Sequence, residues 1–144
     1  MPSTQPHQVV RYLIAHPEKP SFALAGRSHA RLAALHKQFS LPEAVGLIEV
    51  NTRDAASVRA LVSQARVVIN LAGPYHAYNA AEVVKACAES ENGVGYVDLT
   101  GESFFYKNVQ RYHADARKNG SIIVPSAGFD CEQQAVFHLE MNQS

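Results

Sequence analysis

The chain is short of cysteine, with Cys87 and Cys131 its only two, and it has no tryptophan. Two thiols cannot build the framework of a small disulfide-stapled secreted domain, so a reducing compartment is expected. An excess of charge of one sign is also missing, because 13 Lys and Arg are balanced by 13 Asp and Glu. That balance gives no electrostatic reason for nucleic acid or an anionic membrane as a partner. No apolar stretch approaches the roughly 18 to 20 residues that span a bilayer. Met1 to His7 is too polar for a signal peptide, which leaves the cytoplasm as the expected location. The seven histidines are scattered, and none pairs with cysteine or carboxylate at a ligand spacing, so no metal site is expected.

What is present is a globular composition, 47% apolar over 144 residues, with no repeats or low-complexity tracts. This length supports one core but not a nucleotide domain plus a substrate domain. Short β-branched runs alternate with helical patterns, the mark of a parallel α/β sheet. Pro6 opens a helix with Val9, Val10, Leu13 and Ile14 on one side, and Pro17 stops it. Phe22 to Ala25 reads as a strand, and Ser28 caps a helix carrying Leu32, Leu35 and Phe39. Leu47 to Val50 is the next strand, and Asp54 caps the helix of Val58, Leu61 and Val62. Arg66 to Ala72 contains the continuous apolar run Val67-Val68-Ile69, expected of a strand covered on both faces. Asn79 and Glu82 have capping-box spacing ahead of Val83, Val84 and Cys87. Tyr96 to Leu99 is a strand, Phe105, Val109, Tyr112 and Ala116 keep helical spacing, Gly120 ends that helix, and Ile122 to Val124 begins the last strand. Beyond Phe129 a partial helix is expected.

This order fits a Rossmann-like doubly wound parallel sheet entered late. The strands correspond to positions two to six of the order 3-2-1-4-5-6, lacking the usual first strand and its glycine-rich loop. Residues 1–6 then read as a polar leader, 7–130 as an incomplete nucleotide-binding domain, and 131–144 as a tail or the start of a substrate domain. Without the central strand, the facing edges of strands 22–25 and 66–72 either close on each other or are completed by another segment or chain. Self-association through open edges is the corresponding expectation.

Three strand-to-turn junctions carry candidate chemistry. At Ala25-Gly26-Arg27-Ser28, the planar fork of Arg27 suits a phosphate and can stack on adenine, while Ser28 adds a hydroxyl and a helix N-terminus. That favours a dinucleotide with a 2′-phosphate, since an acidic residue usually stands here when the phosphate is absent. The bland alternative is a Gly26 turn, a solvated Arg27 and a Ser28 cap. At the second junction, Ala72, Gly73 and Pro74 bring bare backbone toward a ligand, with Tyr75 and Tyr78 as an aromatic wall; alternatively, Gly-Pro is simply a turn under a tyrosine. At the third, Asp98, Thr100, Gly101 and Glu102 put two carboxylates and a hydroxyl at the same sheet edge. Asp98 either orients nicotinamide or substrate, or bonds local amides, and Glu102 either joins it or sits in a helix's first turn. No catalytic residue is assigned: Tyr75 and Tyr106 are the candidate proton donors, and Cys131 has no sequence-local base.

Taken together, Ala23 to Ser28, Val67 to Tyr75, Tyr96 to Glu102 and Pro125 to Asp130 resemble the NADP-binding domain of the saccharopine dehydrogenase-like oxidoreductases, the group that includes the trans-acting enoyl reductases. The resemblance runs from about residue 7 to residue 130. It implies NADP(H) as cofactor, reduction of a carbonyl or enoyl-type substrate, and small-molecule or lipid-linked substrates with lipid-droplet or membrane association in parts of the group. The candidate cofactor-binding residues at the three junctions are Arg27, Ser28, Ala72, Gly73, Pro74, Tyr75, Asp98 and Gly101. Members begin with a strand and a Gly-x-x-Gly-x-x-Gly loop where this sequence has Met1 to Pro6. Asn79 stands where glycine is typical, and Cys131-Glu132-Gln133-Gln134 departs from the usual continuation. Losing about three pyrophosphate hydrogen bonds at roughly 1.5 to 3 kcal/mol each would weaken a micromolar site to millimolar or beyond, so weak or absent binding by this chain alone is expected. Three readings follow: the cofactor portion of an oxidoreductase, a non-catalytic nucleotide or redox-sensing module, and a remnant or interaction protein whose sheet a partner completes.

Overall fold

The computed structural model describes residues 5–128. They fall into two compact units, residues 5–51 and 52–128, each described by itself.

The first unit is α1 (Gln5–Ala15), β1 (Ala23–Gly26), α2 (His29–Gln38) and β2 (Gly46–Glu49). β1 and β2 pair in parallel, Ala23 opposite Gly46 and Gly26 opposite Glu49. Its core is Val10, Leu24, Leu32, Leu41 and Val45, flanked by Phe22, Leu35, Phe39 and Leu47. Full burial of each such side chain contributes about 1.5 to 3 kcal/mol, which is what holds a two-stranded sheet to its helices. The apolar side expected of α1 is narrower than its sequence suggests. Val10 is its buried residue, whereas Ile14 is 44% exposed. Ser28 starts α2 as expected, with extended backbone and its hydroxyl accepting the Arg31 amide at 3.4 Å.

The second unit is α3 (Ala55–Val62), β3 (Val67–Asn70), α4 (Ala80–Glu89), β4 (Gly95–Asp98), α5 (Ser103–Val109), a 3-10 turn (Gln110–Tyr112), α6 (His113–Asn119) and β5 (Ile123–Val124). Its sheet order is β3-β4-β5, all parallel, with Asn70 opposite Asp98 and Val97 opposite Val124. These ladders, together with β1–β2, are the pairings that the order 3-2-1-4-5-6 prescribes for positions two-three and four-five-six. Asp54 caps α3 through the Ala56 amide at 3.0 Å, and Gly120 ends α6 at φ 71°. Val58, Val84, Cys87, Ala88, Val94 and Tyr96 form the fully buried centre.

Two local expectations are corrected here. The Asn79–Glu82 capping box does not form: Asn79 adopts φ 53°, makes no side-chain cap, and donates its amide to the Thr52 carbonyl at 3.0 Å instead. A left-handed residue explains why glycine suits this position, and a tertiary acceptor has outcompeted the local cap. The second correction is to β3, which is not covered on both faces. Its register with β4 puts Val68 and Asn70 on the buried side with Tyr96 and Asp98, while Val67 and Ile69 are 58% and 43% exposed. A continuous apolar run cannot distinguish one covered face from two.

Candidate functional site

In the first unit the end of β1 feeds directly into α2. Gly26, Arg27, Ser28, Arg31 and Leu32 line a surface cavity of about 410 Å³ there. The spacing follows from the fold: Arg27 precedes the cap, and Arg31 stands one helical turn on, so both guanidinium-bearing residues border one hollow. Gly26 packs closely on Leu32, since a Cβ at that position would stand 3.3 Å from Leu32 Cδ2. No acidic residue lines the cavity or occupies the first turn of α2. Two cations, a hydroxyl and a helix N-terminus without a competing carboxylate match the chemistry of a phosphate monoester. The residues present therefore fit the 2′-phosphate end of NADP(H). The sequence reading named Arg27 and Ser28 but missed Arg31; its i to i+4 spacing from Arg27 was the available signal.

In the second unit the carboxyl ends of β3 and β4 form a braced edge. Tyr96 is fully buried; its phenol donates to Asp98 Oδ2 at 2.7 Å and accepts the Asn70 side-chain amide at 3.2 Å. Burial and then the Asp98 charge drive the Tyr96 pKa far above its usual value, so the phenol stays protonated and remains a donor. Asp98 Oδ1 accepts the amides of Thr100 at 3.0 Å and Ser126 at 2.8 Å, and its carbonyl accepts that of Ala127 at 2.7 Å. Asp98 is 3% exposed, so of its two sequence-level roles the structure displays the local one, tying the loops after β4 and β5.

The turn after β3 is tied to the same edge. Asn70 Oδ1 accepts the Ala72 amide at 3.1 Å, and the Gly73-Pro74 peptide is cis. Tyr75 is 4% exposed; its hydroxyl donates to the Asn70 carbonyl at 2.9 Å and accepts the Leu99 amide at 3.4 Å. Its ring packs on Phe105 with 5.3 Å between centroids. Tyr75 is thus a strut under the turn, leaving Ala72, Gly73 and Pro74 as its exposed rim. The Thr52 hydroxyl donates to the Tyr78 carbonyl and so anchors the far end. Gly101 is exposed, and a Cβ there would meet no atom within 4 Å, so space and not close approach marks its surroundings. Gly128 is the tight position: a Cβ would stand 2.8 Å from that of Leu99.

Glu102 closes this arrangement. Its Oε1 accepts the Tyr75 amide at 2.9 Å, and its Oε2 accepts the His76 amide at 3.2 Å and the His76 ring Nδ1 at 2.8 Å. Slight desolvation pulls the Glu102 pKa up, but the bonds from the His76 ring and the two amides outweigh it and hold the carboxyl below its ordinary value. Asn70, His76, Tyr96 and Ser126 are the edge residues to which sequence reading gave no role. Their partners lie up to 28 residues away, beyond any local pattern. Cys87 is buried, and desolvation pushes its thiol up to about 12, which makes it inert. Cys131 lies outside the described residues. Among the described residues no cluster suits a metal ion, and no helix is long and apolar enough to cross a membrane.

Comparison with known proteins identifies the family and the fold. A protein 36% identical over 85% of this chain is the lipid droplet localized protein of Caenorhabditis elegans, of which the match covers 30%. The saccharopine dehydrogenase-like oxidoreductase of Homo sapiens is 36% identical over 79% of the chain and 28% of its own length. A Mycobacterium tuberculosis protein named as a trans-acting enoyl reductase is 38% identical over 75% of the chain and 26% of its own. The chain thus spans under a third of the length of these relatives. Its fold is that of apo saccharopine dehydrogenase (L-Glu forming) from Saccharomyces cerevisiae, with a TM-score of 0.68 at 20% identity over 85% of this chain and 25% of that one. The model of the saccharopine dehydrogenase NADP binding domain matches residues 7–124. The chain belongs to that family, as a Rossmann-like NADP-binding domain of the saccharopine dehydrogenase-like oxidoreductases.

Proposed function

We propose that this chain holds NADP(H) for hydride transfer to a carbonyl or enoyl-type substrate, small or lipid-linked. The cavity shared by Arg27, Ser28 and Arg31 is the observation that carries the reading. When bound, the cofactor supplies the hydride. Arg27 and Arg31 hold the 2′-phosphate, with Ser28 and the start of α2 completing its cradle. In the second unit the exposed rim Ala72-Gly73-Pro74 and Gly101, braced from behind by Tyr75 and Asp98, are offered to the nicotinamide end. The name of the Caenorhabditis elegans relative supports a lipid-droplet location.

Calorimetric titration with NADPH and NADH tests the phosphate assignment. NADPH is expected to bind more tightly than NADH, and Arg27→Ala should remove about tenfold or more of NADPH affinity, 1.4 kcal/mol per tenfold, while leaving NADH nearly unchanged. Equal losses for the two nucleotides would refute the phosphate assignment. NADPH binding without turnover on any carbonyl or enoyl substrate would favour a sensing module.

One observation favours a second reading, in which the chain associates with itself. Val67, Ile69, Ile122 and Val124 are 58%, 43%, 69% and 38% exposed on the second unit, apolar side chains that a second copy could cover. Sedimentation over a range of concentrations tests it, and a monomer throughout would remove it.

A further inference from the structure

We infer that Glu102 is a positioning residue for the turn from Gly73 to Tyr78: its carboxylate grips the Tyr75 amide, the His76 amide and the His76 ring, and so fixes the wall offered to the cofactor. This rests on the reading of that turn as the nicotinamide wall. Three donors converge on one side chain at 2.9, 3.2 and 2.8 Å, all from the turn after β3, while Glu102 itself stands at the start of α5. Two successive backbone N–H groups aimed at one carboxylate make an anion nest, and here a neighbouring loop of the same chain fills it. Glu102 is held in turn: its amide donates to the Thr100 hydroxyl at 3.1 Å and its carbonyl accepts the Tyr106 amide at 3.2 Å. Thr100 hangs on Asp98, so the grip extends to the buried knot of Tyr96 and Asn70.

The grip is asymmetric in a useful way. Tyr75 is fastened a second time through its hydroxyl, whereas the side chain of His76 is 68% exposed with Glu102 as its hydrogen-bond partner. The outer half of the turn, at His76, therefore depends on Glu102 more than the inner half does. Among titratable groups, His76 touches the carboxylate from the turn. Asp98 and the Tyr96 phenol stand behind it through Thr100, and the Tyr75 phenol points to the Asn70 carbonyl. Because the Glu102 carboxyl is held below its ordinary value, the grip is complete above the ordinary carboxylate range and is lost as pH falls through the lowered value.

Amide hydrogen exchange on the full chain, read by NMR, tests this without a ligand. In Glu102→Gln the Tyr75 and His76 amides should exchange about tenfold faster or more, as befits a lost charge-assisted bond. Ala72, Thr100 and Ser126 should keep their protection. In the wild type the Tyr75 and His76 amide resonances should move together as acid is added, with a midpoint below that of an ordinary glutamate. Affinity for NADP⁺ at neutral pH should fall several-fold in Glu102→Gln.

Unchanged exchange at Tyr75 and His76, or an equal rise at all five amides, would overturn the inference. If Glu102→Gln does not fold, the wild-type titration decides alone: absence of a shared low midpoint at the two amides would overturn it. Failure of NADP⁺ to bind the wild type would count against the nicotinamide-wall reading and leave the exchange result to decide the role of Glu102 in the turn.

Discussion

The carboxyl ends of β1 in the first unit and of β3–β4 in the second are built in opposite ways. At the first, the chemistry sits on exposed side chains: Arg27 and Arg31 border an open cavity, and Ser28 caps α2 beside them. At the second, the polar groups are turned inward. Asn70, Asp98, Thr100 and Ser126 are all at most 9% exposed and joined to Tyr96, Tyr75 or neighbouring amides. Surface cations recognise a dianion without straining the fold, because an unliganded guanidinium remains hydrated. A buried network demands that every member be satisfied, and in return it holds backbone in one shape. Under the proposed function, recognition in the first unit is separable from stability, whereas in the second the two rest on the same bonds.

Substitution can break that contrast, and the largest effect is expected at Asp98. Asp98→Leu would orphan the Thr100 and Ser126 amides and the Tyr96 phenol, lowering stability by about 3 to 5 kcal/mol in urea unfolding. A loss below about 1 kcal/mol would mean the network is not the brace described. Tyr75→Phe removes only the hydroxyl bonds to Asn70 and Leu99, and about 1 kcal/mol is expected by the same measurement. Ser28→Ala takes the cap from α2, for about 0.5 to 1 kcal/mol of stability. Arg27→Ala should be the quietest, within about 0.5 kcal/mol on unfolding, although it is the variant expected to damage NADPH binding most. Should Arg27→Ala destabilise as much as Asp98→Leu, the separation of recognition from stability would be lost.

The sequence disclosed what is encoded by neighbours. Ser28, Asp54 and Gly120 act within one turn of their own position, and each performs the capping or stopping role its residue type suggests. The alternation of strands and helices was equally legible, because one buried face imposes a period on a few consecutive residues. The braced edge was not, since Asn70 meets Tyr96 and Asp98 meets Ser126 across 26 and 28 residues. Nothing in the local run of Val67-Val68-Ile69 tells which face will be left bare. Asn79 shows the converse failure: a valid capping motif was present, and a distant carbonyl at Thr52 won its side chain. Arg27 and Ser28 could be suspected because phosphate chemistry is written in residue types, whereas the pairing of Glu102 with His76 is written only in space.

The seclusion of the Tyr96 phenol has an experimental use. A hydroxyl sealed in the interior, with a carboxylate for company, ionises in alkali only when the surrounding structure opens. Ultraviolet absorbance of tyrosinate during a base titration should therefore show a late step from Tyr96. That late step would report, with no attached label, the moment at which the centre of the three-stranded sheet gives way.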